Sequence, residues 1–144
     1  MKSLIVKNNI RIDAPVTRVW EVLIRPEYIR KWDDLPEDFG DYEIHPATII
    51  QWPDASKLSV IEIELNHKLR YSLYVPAWDD LNITNIGYTY TLNVDDEGHT
   101  WLGIEIGDFA ILADGAKYYD ASINFGQTAS QKIKELAEKK PIAL

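Results

Sequence analysis

Two copies of one tetrapeptide, Trp32-Asp33-Asp34-Leu35 and Trp78-Asp79-Asp80-Leu81, set paired carboxylates beside an indole. Converging carboxylates bind hard cations such as calcium through oxygen. Neither copy has the glycine-punctuated spacing of a calcium loop, and adjacent aspartates point in different directions. The flanking sequences, RKWDDLPED and PAWDDLNIT, share nothing else, so the two copies are not an internal repeat. Their residue types suit two loops at the rim of a binding space, each Trp packing down and each Asp pair facing water. No metal is expected.

The remaining chemistry-bearing residues are dispersed. His67 and His99 fall in turns and His45 precedes Pro46. None is spaced with another His, Asp or Glu as metal ligands or a catalytic triad would be, so all three are expected at the surface. There is no GxSxG, P-loop or dinucleotide fingerprint. The chain has no cysteine, which removes thiolate chemistry and disulfides and points to a cytoplasmic home. No cofactor is implied.

The elements that must position these groups follow from periodicity. Leu4, Val6, Ile10 and Ile12 alternate as a first strand up to Asp13-Ala14-Pro15. Pro15 suits a helix start, and Val16, Val19, Trp20 and Leu23 then recur on one helical face, with Trp20 in the core. Pro26 opens a second short helix through Tyr28, Ile29 and Trp32. From Tyr42 to Phe109 the period is two. Ser59, Ile61, Ile63 and Leu65 form one apolar face, followed by Leu69, Tyr71, Leu73 and Val75, then Ile86, Tyr88, Tyr90, Leu92 and Val94. Leu102, Ile104 and Ile106 follow the hairpin loop Asp95-Asp96-Glu97-Gly98. Strands with one apolar face make an antiparallel sheet covered on one side. Asp114 is an N-cap for a closing helix of about 25 residues, on which Tyr118, Ser122, Phe125, Ala129, Ile133 and Leu136 share a face. Fold class is therefore α+β: six or seven strands, two short helices after the first, and a long C-terminal helix.

Bulk composition sets limits. The chain has 144 residues, 46% hydrophobic and 11% aromatic, which fits one globular domain over 1–144. No apolar run approaches the roughly 18 residues needed to span a bilayer, and the patch in MKSLIVKNNIRID is too short for a signal-peptide core. Net charge is −8, concentrated in the middle of the chain. Such a surface repels phosphate backbones, so nucleic acid is not an expected partner.

The APxxxVW run (Ala14, Pro15, Val19, Trp20) followed by PExxxKW (Pro26, Glu27, Lys31, Trp32) resembles the SRPBCC, or START-like, superfamily. Within it the chain looks most like the domain family named after the C-terminal part of the activator of the heat-shock chaperone ATPase. The resemblance covers essentially the whole chain. It implies a helix-grip fold, a curved antiparallel sheet wrapped around the C-terminal helix with a cavity between them. It further implies binding of lipids, hormones or polyketide-like molecules, with cyclisation or dehydration in a minority. Where members open the last helix with Gly-Trp, this chain has Gly115-Ala116-Lys117-Tyr118-Tyr119. Gly126 lies inside that helix, where it costs about 1 kcal/mol against alanine unless the sheet or a ligand needs the space.

On that fold, Trp32, Ile61, Tyr71, Leu73, Tyr88, Tyr90, Ile104, Phe125 and Ala129 are the expected lining of the cavity, with Trp32 as gate and the tyrosines as hydrogen-bonding points. A small, largely apolar or aromatic ligand is the expected partner. A chaperone-docking module using the acidic surface is the alternative. A cyclase- or hydrolase-like enzyme is third, because the expected inner strand faces hold no charged residue and tyrosine is a poor base at neutral pH.

Overall fold

The computed structural model describes residues 3–81 and 86–139, with the side chains of 79–81 outside that description. The chain runs β1 (Val6–Ile12), α1 (Val16–Ile24), α2 (Pro26–Trp32), β2 (Ile49–Gln51), β3 (Lys57–Glu64), β4 (Lys68–Tyr74), β5 (Gly87–Val94), β6 (Thr100–Gly107) and α3 (Gly115–Glu138). Short 3-10 turns occupy Pro76–Leu81 and Phe109–Ile111. The six strands form one antiparallel sheet in the order β1-β6-β5-β4-β3-β2, curved around α3 as a helix-grip fold.

Alternation decides which face meets the helix. Leu69 and Tyr71 of β4, Tyr90 and Leu92 of β5, and Leu102, Ile104 and Ile106 of β6 are all buried on the concave face. Their register stacks Val60, Tyr71, Tyr88 and Ile106 across neighbouring strands. The convex face is polar, with Lys7 of β1 paired to Glu105 of β6 at 3.7 Å.

β3 departs from strict alternation. Its register to β4 shifts between Val60, opposite Tyr71, and Glu62, opposite Arg70, so Ile61 is one residue too many. The bulge turns Leu58 and Val60 inward ahead of it and keeps Ile63 opposite Leu69 after it. Ile61 is left 52% exposed in a shallow depression of the convex face with Arg70, Thr89 and Glu105, so its expected place in the cavity is corrected.

α3 is built in two halves. Gly126, Ala129, Ser130, Ile133 and Ala137 are buried at three- and four-residue spacing. Before Gly126, Tyr118, Ser122, Ile123 and Phe125 are only half-buried. The glycine admits β1, since a Cβ at 126 would run into the side-chain amide of Asn8. Pro26, Ile29 and Trp32 anchor α2 at intervals of three. Arg18 of α1 donates to the Tyr28 hydroxyl at 2.8 Å and to the Leu136 carbonyl at 3.3 Å, tying both short helices to α3.

Candidate functional site

Where the first half of α3 stands off the sheet, a groove of about 660 Å³ remains, within the range of small-molecule pockets. Leu58, Leu73 and Tyr88 of the sheet form its floor, and Tyr118, Ala121, Ser122 and Phe125 of α3 its wall. Phe109 closes one side. It is held by Asp108, whose carboxylate accepts from Leu4 N at 2.8 Å and Ala110 N at 2.9 Å. The aromatic rings brace one another edge to face, Tyr88 on Phe125 at 5.7 Å and Trp78 on Tyr118 at 5.5 Å.

The mouth is polar. A turn at Trp52–Ser56 brings Trp52, Pro53, Asp54 and Ser56 to the opening, with Asp54 accepting from the Ser56 hydroxyl at 2.7 Å. Asp33 and Asp34 come from the end of α2. Trp32 fixes that end: its indole N–H donates to the Val22 carbonyl at 2.9 Å, and its ring packs edge-on to Tyr90 at 5.6 Å. Helix α2 stops there, with extended backbone at Asp33.

Asp33 is the unusual group. It is half-buried, and among the described residues it forms no ion pair and accepts one hydrogen bond, from Asp34 N at 2.7 Å. Burial pushes its carboxyl up from 3.8 to about 6, and the like charge of Asp34 adds to the rise. Its charge is felt by three tyrosines. Burial, reinforced by Asp33, raises the Tyr88 hydroxyl to about 12 and lifts Tyr71 and Tyr90 further still. Tyr71 is 5% exposed and Tyr90 2%, yet none of the three hydroxyls has a hydrogen-bond partner among the described residues. They are not among the wholly enclosed side-chain atoms left unpaired in the described residues, which are Asn8 Nδ2, Arg18 Nε and Trp78 Nε1, so each hydroxyl keeps a path to open space.

Of the nine expected lining residues, Leu73, Tyr88 and Phe125 border the groove. Trp32, Tyr71 and Tyr90 lie behind it, with Tyr71 edge-on to Tyr90 at 6.3 Å. Trp32, buried and bonded through its indole, is an anchor for Asp33 and not a door. Ile104 and Ala129 are fully buried where α3 meets the sheet, away from the opening, and Ile61 is on the far face.

The first WDDL segment does rim the groove, but its Asp33 is drawn in from water. Trp78 of the second is buried, whereas the side chains of Asp79 and Asp80 lie outside the described residues. Periodicity missed Asp33 as a cavity group because it follows a helix instead of belonging to a strand face. The anchoring triplet ending at Trp32 was the signal for it. Trp52 and Asp54 were signalled only by the turn-forming WPDAS run. His45 and His67 are exposed; His99 is half-buried beside Asp95, 3.4 Å away. Among the described residues no three His, Cys, Asp or Glu side chains are grouped to hold a metal ion.

No family model matches the chain, and no curated protein matches it. Solved structures do. Protein MLL2253 of Mesorhizobium loti superposes with a TM-score of 0.73 at 20% identity, over 96% of this chain and 99% of its own. Protein BH1534 of Bacillus halodurans gives 0.68 at 16%, over 93% and 96%. The Aha1 dimer of Colwellia psychrerythraea gives 0.63 at 10%, over 93% and 96%. Likeness at these identities is likeness of fold.

Proposed function

We propose that the chain is a single SRPBCC-type domain, cytoplasmic, that holds a small, largely apolar or aromatic ligand in the groove between the sheet and the first half of α3. The carrying observation is the groove itself. It is lined by aromatic and aliphatic side chains from both layers and holds the Tyr88 hydroxyl, which has no partner among the described residues. Apolar walls with a few convergent polar points are the ordinary composition of a ligand site. No described helix is long and apolar enough to cross a membrane.

The test is a thermal-shift screen against sterols, flavonoids, aromatic polyketides and amphiphiles, repeated on Ser122→Phe. A ligand at about a hundredfold over its Kd adds roughly 2.7 kcal/mol to stability. That is several degrees in Tm for a chain of this size. The half-buried Ser122 faces the groove, so a phenylalanine there occupies ligand space without disturbing the core. Hits that survive Ser122→Phe place binding elsewhere and defeat the proposal.

Two further readings have support. Asp33 supplies the charged cavity group that the strand faces lack, and a carboxyl near 6 suits proton transfer at neutral pH. A cyclase- or hydrolase-like reaction predicts that a bound hit is converted to product by wild type and not by Asp33→Asn, read by mass spectrometry. Chaperone docking rests on the fold shared with Aha1. It predicts partner capture that Ser122→Phe leaves intact.

A further inference from the structure

The mouth of the groove carries charge of one sign. Asp33, Asp34 and Asp54 line it, and no Lys, Arg or His is among the lining residues. Asp54 is satisfied by its own turn through Ser56. Asp33 is different, being half-buried and without a cation among the described residues. A carboxylate withdrawn from water costs several kcal/mol unless a counter-charge or donors replace the lost hydration. Among the described residues, the donors amount to one backbone N–H.

The groups around Asp33 narrow what is missing. Tyr88, which lines the groove and whose hydroxyl has no partner among the described residues, sits within the field of its carboxylate. A hydroxyl can accept as well as donate, so a ligand with several N–H donors can reach the carboxylate and a phenol oxygen together. The walls fit the same ligand. Trp52, Tyr118 and Phe125 present aromatic surface, and ring faces attract a cation while tolerating any apolar body. An anionic head group would instead enter against three carboxylates, and a neutral one would leave Asp33 desolvated.

We infer that the groove selects its ligand by charge, taking an apolar or aromatic body that carries a protonated amine, with the ammonium seated on the Asp33 carboxylate. This rests on the groove being a ligand site, and it excludes fatty acids and other carboxylates as the preferred class.

Three probes of one body test it: naphthylmethylamine, naphthylmethanol and naphthoate, titrated by calorimetry at neutral pH into wild type, Asp33→Asn and Asp34→Asn. A charge-assisted contact in a half-buried setting gives the amine at least about tenfold tighter binding than the alcohol. The carboxylate is weakest. In Asp33→Asn the amine and the alcohol bind alike, whereas Asp34→Asn, whose side chain is exposed, keeps most of the preference. Three equal affinities in wild type, a preference for naphthoate, or an amine preference that survives Asp33→Asn would each overturn the assignment while leaving the groove as an apolar site. Failure of all three probes, with a flat thermal-shift screen, removes the groove as a ligand site and the inference with it.

Discussion

Asp33→Asn should make the protein more stable at neutral pH and leave it unchanged in acid. Burial raises the native Asp33 carboxyl from 3.8 to about 6, so between these values the native state holds a proton that the unfolded chain releases. Native proton uptake exceeds unfolded uptake there, and stability falls as pH rises through that window. Below it both states are protonated and the penalty vanishes; above it the full penalty is present. A shift of about two units corresponds to a ceiling of about 3 kcal/mol. Solvent reaching the half-buried side chain and the amide's own desolvation reduce this to about 1–2 kcal/mol.

The asparagine is nearly isosteric, and its Oδ1 can still accept from Asp34 N, so the helix end is kept. The assay is urea unfolding followed by tryptophan fluorescence at a series of pH values, with the m-value required to stay constant. At neutral pH the variant's midpoint should be higher, equivalent to roughly 3 °C in Tm per kcal/mol. The difference should shrink toward zero in acid, across the window from 6 down to 3.8. Carboxyls held low, such as Asp95 through its bond from the Trp101 indole, slope the opposite way but contribute equally to both proteins and cancel. A difference of the same size at every pH, or a loss of stability at neutral pH, would refute the claim that Asp33 is a desolvated charge.

Three other outcomes are expected. Tyr88→Phe should weaken a groove ligand about five- to fiftyfold by calorimetry while changing unfolding free energy by less than about 1 kcal/mol, because this hydroxyl has no partner to lose among the described residues. Gly126→Ala should destabilise by about 1–2 kcal/mol by crowding Asn8, yet in an Asn8→Ala background it should stabilise by up to about 1 kcal/mol through helix propensity. The same sign in both backgrounds, measured in a double-mutant cycle, would remove Asn8 as the cause. Ile61→Lys should be nearly neutral, whereas Val60→Lys should cost more than about 2 kcal/mol in chemical denaturation, since the bulge turns the first out and the second in.

What the sequence disclosed depended on whether a residue's environment was set by its own element. The concave positions of β4, β5 and β6 could be read from alternation, because each strand keeps its phase against both neighbours. Ala129 and Ile133 could be read from helical spacing in the same way. Ile61 could not, because a bulge inserts one residue without any compositional mark, and every position before it then faces the opposite way. Asp33 failed for another reason. Its burial is imposed by Trp32 locking onto Val22 and Tyr90, contacts that join α2 to α1 and to a strand far along the chain. Its sequence neighbours, Asp34 and the Pro36-Glu37-Asp38 run, suggest a solvated loop.

The groove and the tight half of α3 have one cause. Gly126, Ala129, Ser130 and Ala137 are small, and they let the helix settle close against β1 and β6 with the Ser130 hydroxyl returned to the Gly126 carbonyl at 2.6 Å. Ahead of Gly126 the helix presents Phe125 and Tyr118, which meet Tyr88, Trp78 and Phe109 ring to ring instead of interlocking with the sheet. Two of these pairs are edge to face and the third, Phe109 on Tyr118, is stacked, and rings in such contact hold the two layers apart by their own bulk. A long rigid helix that is pinned at one half and propped at the other must leave space over a curved sheet. Filling that space would take larger side chains at Ala121 and Ser122, where the chain keeps two of its smallest. The half-buried Asp33 stands at the same opening, where it weakens the fold and gains only if something cationic arrives. Destabilising groups concentrated at one propped-open end are what a binding site costs a fold, and a core that was merely underpacked would have no reason to place a charge there.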